Sequence, residues 1–267
     1  MNDYRPISCC NLIYKCISSI LASRIKAILP NLINKAQSAF VPGRHISDNI
    51  LLAQELLWNY HWSDTKPRCA LKVDILKAYD SVRWSFLTTL LHKLRFPPRF
   101  IGWIHECITS PKFSVNINGE LAGFFGSSRG LRQGDPLSSY LFVLVKDALS
   151  MLIQKRIEEE VVPFVYHWRC SKTKLTHLCF ADDLLLFCGN STTSMRTLFH
   201  ILLEFSSMTG LTPNCSNSNI YIARNNQSFR EVALDIFGFL EGELPVRYLG
   251  VPLISSKLNT SLIANHW

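Results

Sequence analysis

Carboxylates are scarce in this sequence. Its 267 residues hold 20 Asp and Glu against 28 Lys and Arg, a formal net charge of +8. That balance suits a polyanionic partner, whose phosphates release counterions on binding, although many unrelated soluble proteins are as basic. Paired cysteine spacing is missing too. None of the nine cysteines stands in a Cys-x-x-Cys pair, which argues against a zinc site. The odd count, the adjacent Cys9-Cys10, and Cys179 and Cys188 inside apolar runs predict reduced thiols in an intracellular protein. The eight histidines form no tract. Met1-Asn2-Asp3 runs directly into a charged, proline-bearing segment, which leaves no signal peptide. Lys146, Asp147 or the pair Asp182-Asp183 interrupt the longest apolar stretches, so no membrane span and no membrane partner is expected. Internal repeats, low-complexity tracts and obvious flexible linkers are absent, and a chain of this length can bury a proper core in one or two domains.

Where carboxylates do occur together, they occur in unexpected company. Asp182-Asp183 is preceded by Leu178-Cys179-Phe180-Ala181 and followed by Leu184-Leu185-Leu186-Phe187. An apolar run of about ten residues usually becomes a buried strand pair. Two charges at the mouth of such a hairpin are costly unless a cation compensates them, and magnesium prefers carboxylate oxygens. An ordinary hairpin turn, for which Asp is a favoured residue, is the competing reading.

Ala70-Leu71-Lys72-Val73-Asp74 alternates as a strand, with Lys72 and Asp74 on one face and Leu71 and Val73 on the other. The period then becomes helical, with Phe86, Leu87, Leu90, Leu91 and Leu94 forming an apolar stripe. Asp74 is thereby placed where a strand gives way to a loop, a common position for ligand groups in sheets. Beside the Asp182 hairpin, Asp74 would face it across a pair of metal ions of the kind that clamps a phosphoryl displacement. A solvated strand-end residue capping the next helix is the lesser, competing reading.

Gly130-Leu131-Arg132-Gln133-Gly134-Asp135-Pro136-Leu137-Ser138-Ser139 is a glycine-punctuated loop leading into an apolar helix, with Asp135 as cap and Pro136 in the first turn. Its amides and Arg132 could approach a phosphate, and a plain helix start explains the segment as well.

In this order and at these intervals, the segments resemble the signature blocks of a reverse transcriptase, specifically that of plant LINE-type (non-LTR) retrotransposons. The likeness begins at Tyr4-Arg5-Pro6-Ile7-Ser8 and continues through Gln37-Ser38-Ala39-Phe40-Val41-Pro42-Gly43-Arg44 and Asp48-Asn49. It takes in the Asp74 block, Asn118-Gly119-Glu120, the Arg132–Ser138 block and Phe180-Ala181-Asp182-Asp183. It closes with Gly210-Leu211, Asn214 and Tyr248-Leu249-Gly250-Val251-Pro252-Leu253, so it covers nearly the whole chain.

The resemblance implies an RNA-directed DNA polymerase that transfers a nucleotide from a dNTP to a primer 3′-hydroxyl on an RNA template. Asp74, Asp182 and Asp183 match the metal-binding carboxylates, the first two as principal ligands, with two Mg²⁺ as cofactors and Mn²⁺ as an alternative. Tyr79 matches the ring under the incoming sugar, where bulk rejects a 2′-hydroxyl; a core aromatic at a strand-to-helix turn is the alternative. Gln133 and the Gly134 backbone match the loop against the nucleotide and template base. Arg5 matches a triphosphate contact, and both Arg5 and Arg44 are open to a structural ion-pair reading. Nuclear residence is implied, no basic import cluster accompanies it, and no oligomeric state is implied.

The fold expected is α+β, a right-hand polymerase fingers and palm with a mainly antiparallel palm sheet backed by helices and the thumb absent. Residues 1–68 would be fingers-like, 69–223 the palm with some fingers contribution, and 224–267 the end of the palm and a truncated connection to the missing thumb. Helices are expected from about 11 to 29, with Ile13, Cys16, Ile17, Ile20 and Ile28 buried on one face, and over Ser47–Trp58, Pro136–Ile153 and Thr193–Met208, the last stopped by Gly210. Glu158-Glu159-Glu160 reads as a solvated helix end. Departures from the family pattern temper the expectation of activity. Asn217 stands where a lysine thought to protonate pyrophosphate is common, and Asn cannot act as a general acid. Ser139 replaces a usual proline and Phe180 a frequent tyrosine. With no upstream endonuclease and no downstream Cys/His knuckle, the chain also reads as a fragment of a longer element. A catalytically weak or inactive remnant that at most binds nucleic acid is therefore the alternative function.

Overall fold

The strand expected around Lys72 forms, but it is buried on both faces. Strand β1 (Arg68–Val73) leaves only Lys72 partly exposed, the pattern of a central strand with cover on each side. The computed structural model describes residues 7–60, 68–223 and 227–255. Before β1 come helices α1 (Leu12–Leu32) and α2 (Ile46–Leu57); after it come the short α3 (Ala78–Ser81), α4 (Trp84–Lys93) and α5 (Pro98–Thr109). A hairpin of β2 (Lys112–Ile117) and β3 (Glu120–Gly126) leads to α6 (Ser138–Glu159), then β4 (His177–Phe180), β5 (Asp183–Gly189) and α7 (Thr192–Thr209). The described chain closes with β6 (Asn219–Ile222), α8 (Gln227–Phe237), β7 (Leu240–Glu241), β8 (Val246–Tyr248) and β9 (Val251–Leu253).

Five strands form one sheet in the order β4-β5-β1-β6-β7. Every neighbouring pair is antiparallel except β6 with β7. The fold is thus α+β with a mainly antiparallel sheet, as expected. The period of two divides the sheet residues between two cores. Leu71, Val73, Leu184, Leu186 and Ile220 belong to the larger one, with α4, α5, α6 and α7. Ala70, Leu185, Phe187 and Tyr221 face the smaller one, closed by Ala53, Leu56 and Leu57 of α2 with Tyr248 and Leu253. Helices therefore cover both faces of the sheet, not one.

Helix α6 explains where the larger core sits. From Leu141 to Ser150 every residue is buried, so the helix is enclosed all round instead of presenting one stripe. It starts at Ser138, two residues later than Pro136 would allow, because Asp135 Oδ1 accepts the Leu137 N–H (3.2 Å) and closes a separate turn before it. Its far end is the solvated Glu run, where Glu159 pairs with Lys155 and Arg156. Helix α7 stops at Gly210, whose φ is +83° and whose absent Cβ would lie 2.3 Å from the Ser81 carbonyl oxygen.

One helix face is a correction. Ile13, Ile17, Ile20 and Ile28 of α1, expected to be buried, are 76%, 49%, 58% and 40% exposed, and Cys16 is exposed as well. The buried stripe is Ser18, Leu21, Ala22, Ile25 and Leu29. Both stripes are apolar at helical spacing, so periodicity alone could not choose between them. Among the described residues no helix is long and apolar enough to cross a membrane.

Candidate active site at the strand ends

The Asp182 hairpin is as tight as a hairpin can be. Phe180 pairs with Asp183, leaving Ala181 and Asp182 as the two loop residues. Ala181 takes φ +52°, which the first position of a type II′ turn requires and which a residue with a Cβ adopts at some cost. Strand β5 lies beside β1, whose last ladder pair is Val73 with Leu184. One register step further, Asp74 comes opposite Asp183. Alternation puts Lys72, Asp74 and Asp183 on the same face of the sheet. All three carboxylate residues are half-buried.

Their charges are felt. Burial and the adjacent Asp182 raise the pKa of Asp183, Asp74 adds to the rise, and Lys72 and Lys146 oppose it. The loop after α7 holds Asp74. Asn214 Nδ2 donates to Asp74 Oδ2 at 3.1 Å and Asn217 Nδ2 at 3.4 Å, while Ser218 Oγ accepts the Asp74 N–H at 3.1 Å. Oxygen donors of this kind suit a hard divalent cation. The side chains do not close a ligand set as they stand: among the described residues no group of three or more His, Cys, Asp or Glu is arranged to hold a metal ion. The donor chemistry fits magnesium, and Asp74 Oδ2 already accepts from two asparagine amides.

The remaining expected site residues lie around this edge. Tyr79, on α3 just past Asp74, stacks on Phe142 of α6 with ring centroids 4.5 Å apart and 15° between planes. Its carbonyl accepts the Leu131 N–H at 2.7 Å, which ties α3 to the glycine-punctuated loop. Gln133 is half-buried, its carbonyl accepting the Ser8 N–H at 2.9 Å, and Gly134 is exposed with φ +97°. Arg5 lies outside the described residues.

Two arginines are accounted for structurally. Arg132 donates to the Cys107 carbonyl (3.1 Å), sits 3.6 Å from Asp135 Oδ2 and covers the Tyr14 ring at 3.8 Å, so it is committed inside the fold and not free to meet a phosphate. Arg44 donates to the carbonyls of Ile33, Asn34 and Gln37 and so fastens the segment that follows α1. That segment guards an edge strand: Cys179 N–H donates to the Ala36 carbonyl (2.8 Å), and Ser38 N–H (3.1 Å) and Asn49 Nδ2 (2.9 Å) donate to the Cys179 carbonyl. The Gln37–Arg44 and Asp48-Asn49 blocks are thus the scaffold that holds β4, and through it the hairpin.

Two functional candidates escaped the sequence reading. Asn214 was visible only as part of a block, with nothing local to show that its side chain meets Asp74. Lys146 breaks an apolar run in the sequence, and a lone lysine at a helical core position is the available signal. A cavity of about 1200 Å³ opens between α2 and the far half of α6, but none of the three carboxylates lines it, so the strand-end geometry is the better guide to the chemistry.

Comparison with known proteins defines the class. A profile of the family described as reverse transcriptase (RNA-dependent DNA polymerase) matches residues 1–253. The chain is 30% identical over 186 residues to the transposon TX1 uncharacterized 149 kDa protein of Xenopus laevis, covering 70% of this chain and 14% of that one. It is 27% identical over 212 residues to the Pol polyprotein of the type-2 retrotransposable element R2DM of Drosophila melanogaster, covering 79% of this chain and 19% of that one. Telomerase of Candida albicans shares the fold at TM-score 0.58 and 13% identity, over 91% of this chain and 37% of that one. The chain belongs to the reverse transcriptase family, with relatives among non-LTR retrotransposons, and it spans less than a third of the two retroelement proteins just named.

Proposed function

We propose that this chain is the polymerase part of a plant LINE-type retroelement protein, extending a DNA primer on an RNA template with dNTPs. The observation that carries the proposal is Asp74 at the end of β1, opposite Asp183 one register step past the last ladder pair and beside the tight Asp182 turn, in a chain of this family. A stretch of 69 residues 46% identical to an uncharacterized mitochondrial protein of Arabidopsis thaliana supports the plant assignment. On this reading residues 1–68 serve as fingers, 69–223 as palm and 224–267 as its closing segment, and the protein resides in the nucleus.

Asp74, Asp182 and Asp183 would hold the magnesium ions, with manganese as a substitute. Bound there, the ions supply charge neutralisation and nucleophile activation for phosphoryl transfer. The protein's own residues position the substrates. Tyr79, braced on Phe142, presents bulk where a 2′-hydroxyl would sit. Gln133 and the open Gly134 backbone pack against the nucleotide and template base, and Arg5 meets the triphosphate. The net charge of +8 favours both nucleic-acid strands.

Primer extension on poly(rA)/oligo(dT) with magnesium tests the reading. Incorporation of dTTP that Asp182→Ala abolishes is the expected result; none in the parent chain overturns it. A second reading, a folded remnant that binds nucleic acid without extending it, is favoured by Asn217 lying against Asp74 in place of the family's common lysine. Duplex binding without extension would select it.

A further inference from the structure

Tyr14, in the first turn of α1, meets a loop 121 positions further along the chain. Its hydroxyl donates to Asp135 Oδ2 at 2.7 Å, with the Cys107 carbonyl of α5 as a second acceptor at 3.2 Å. The Arg132 guanidinium lies over the Tyr14 ring, 3.8 Å from its centroid. It also donates to the Cys107 carbonyl at 3.1 Å and stands 3.6 Å from Asp135 Oδ2. One side chain thus engages both Arg132 and Asp135, the two residues that flank Gln133-Gly134. Burial and the neighbouring carboxylate raise the Tyr14 pKa, so the phenol stays a donor. A short bond from it to a buried carboxylate belongs to the stronger kind. The two residues between these anchors are held from the same side. The Gln133 carbonyl accepts the Ser8 N–H at 2.9 Å, and Gly134 takes φ +97°, where a Cβ would lie 3.0 Å from the Ser8 carbonyl oxygen. The Gln133-Gly134 arch is therefore pinned at both feet by Tyr14 and at its top by the segment leading into α1.

We propose that Tyr14 is a positioning residue of the nucleotide site: by holding Arg132 and Asp135 together it fixes the Gln133-Gly134 arch, and so sets the affinity for an incoming dNTP. This rests on the reading of that arch as the loop against the nucleotide and template base. Tyr14 acts through the loop and not on the substrate. The turn itself does not depend on the phenol, because Asp135 also accepts the Leu137 N–H (3.2 Å) and the Ser138 hydroxyl (3.4 Å) and keeps Arg132 beside it. Losing the hydroxyl leaves the loop closed and removes its tie to α1. A loop free to shift by a fraction of an ångström holds a nucleotide less well.

The test is dTTP binding, with magnesium, to the full chain on a poly(rA)/oligo(dT) duplex whose primer ends in a dideoxynucleotide, so that no turnover is needed. Duplex affinity and thermal unfolding are followed alongside. Tyr14→Phe keeps the ring beneath the guanidinium and removes the donor. It should weaken dTTP binding roughly tenfold, the weight of one hydrogen bond to a carboxylate, and leave duplex affinity nearly unchanged. In a Gln133→Ala background the same substitution should cost much less, because its effect passes through that arch. Arg132→Lys, which keeps the charge without the flat stacking on Tyr14, is the second variant and should weaken dTTP binding in the same direction. Unchanged dTTP affinity in Tyr14→Phe, with Asp182→Ala still weakening it, overturns the role of Tyr14 and leaves the site reading intact. Equal losses of dTTP and duplex affinity, a full loss that persists with Gln133→Ala, or unfolding of both variants also overturns it, because Tyr14 would then serve the fold at large. A parent that binds no dTTP, or binds it regardless of Asp182→Ala, sinks the site reading and this inference with it.

Discussion

Asn214 holds Asp74 at two points: its backbone N–H donates to the Asp74 carbonyl at 2.8 Å, and its Nδ2 donates to Asp74 Oδ2 at 3.1 Å. The first bond fixes the strand end and the second aims the carboxylate. Asn214→Ala keeps the first and removes the second. A hydrogen bond to a charged, half-buried acceptor is worth about 1.5–3 kcal/mol. The variant should lose stability towards the lower end of that range in urea unfolding, and any primer extension should fall with it. Asn217→Ala removes a longer contact, 3.4 Å, at an exposed position, and should change the urea midpoint little. Equal losses in the two variants would show that Asn214 does not orient the carboxylate.

Asn217 also offers a gain of function. Its amide lies within reach of Asp74 but has no proton to give a leaving pyrophosphate. Asn217→Lys restores a group that can both pair with the carboxylate and act as a general acid, an effect worth roughly 100-fold in favourable cases. Single-turnover incorporation of dTTP should be faster in Asn217→Lys than in the parent. A rate unchanged or lower would remove this residue from the chemistry.

How much of this was legible in the sequence depended on what each residue answers to. The Asp182 hairpin was legible because its apolar flanks and its turn are adjacent in the chain, and β4 and β5 form where those flanks predict them. Helix α7 and its stop at Gly210 were legible for the same local reason. The buried face of α1 was not, since Leu21, Ile25 and Leu29 compete with Ile13, Ile17, Ile20 and Ile28 on one helix, and only the packing of α5 and α6 decides between them. The hairpin of β2 and β3 carries the strongest short-range signal there is, Asn118-Gly119 with φ +51° and +94°, a turn signal that the family block Asn118-Gly119-Glu120 conceals. The role of Arg132 is not legible locally, because a loop arginine looks available until Tyr14 and Cys107, far away in sequence, arrive to occupy it.

Tyr79 yields a prediction that separates packing from selectivity. Stacked on Phe142 with centroids 4.5 Å apart, its ring is braced on one side, and on the proposed reading the incoming sugar lies on the other. Tyr79→Phe keeps the ring and should keep the preference for dNTPs over rNTPs. Tyr79→Val removes it, and the preference, read as a ratio of kcat/KM values, should fall by roughly 100-fold. If Tyr79→Val unfolds earlier but discriminates as well as the parent, the ring is a core aromatic and nothing more.

The pH dependence of stability isolates His177. Burial is the main cause that holds its imidazole down at about 4, below the ordinary 6.5, with the nearby Lys146 acting in the same direction. The folded state therefore binds the proton less readily than the unfolded chain. Stability from this residue is fully present above about pH 6.5 and is lost as pH falls towards 4, amounting to about 2 kcal/mol between pH 7.5 and 5. Asp147 acts in the opposite direction. Burial raises its carboxyl to about 6 against the lowering influence of the Asn34 N–H (2.8 Å) and Arg44, so the folded state favours its protonated form and gains as pH falls towards 4. His167, also held at about 4 by burial, adds to the loss. The parent curve is a sum of these, and substitution takes it apart. His177→Gln, which keeps an amide for Ser150 or Thr176, should shrink the fall in urea stability between pH 7.5 and 5 by about 2 kcal/mol. Asp147→Asn, which keeps the acceptor for Asn34, should deepen it. Were His177→Gln to leave the slope unchanged, the imidazole would have to reach water or a counter-charge in the folded state, against its burial between Ser150 and Thr176.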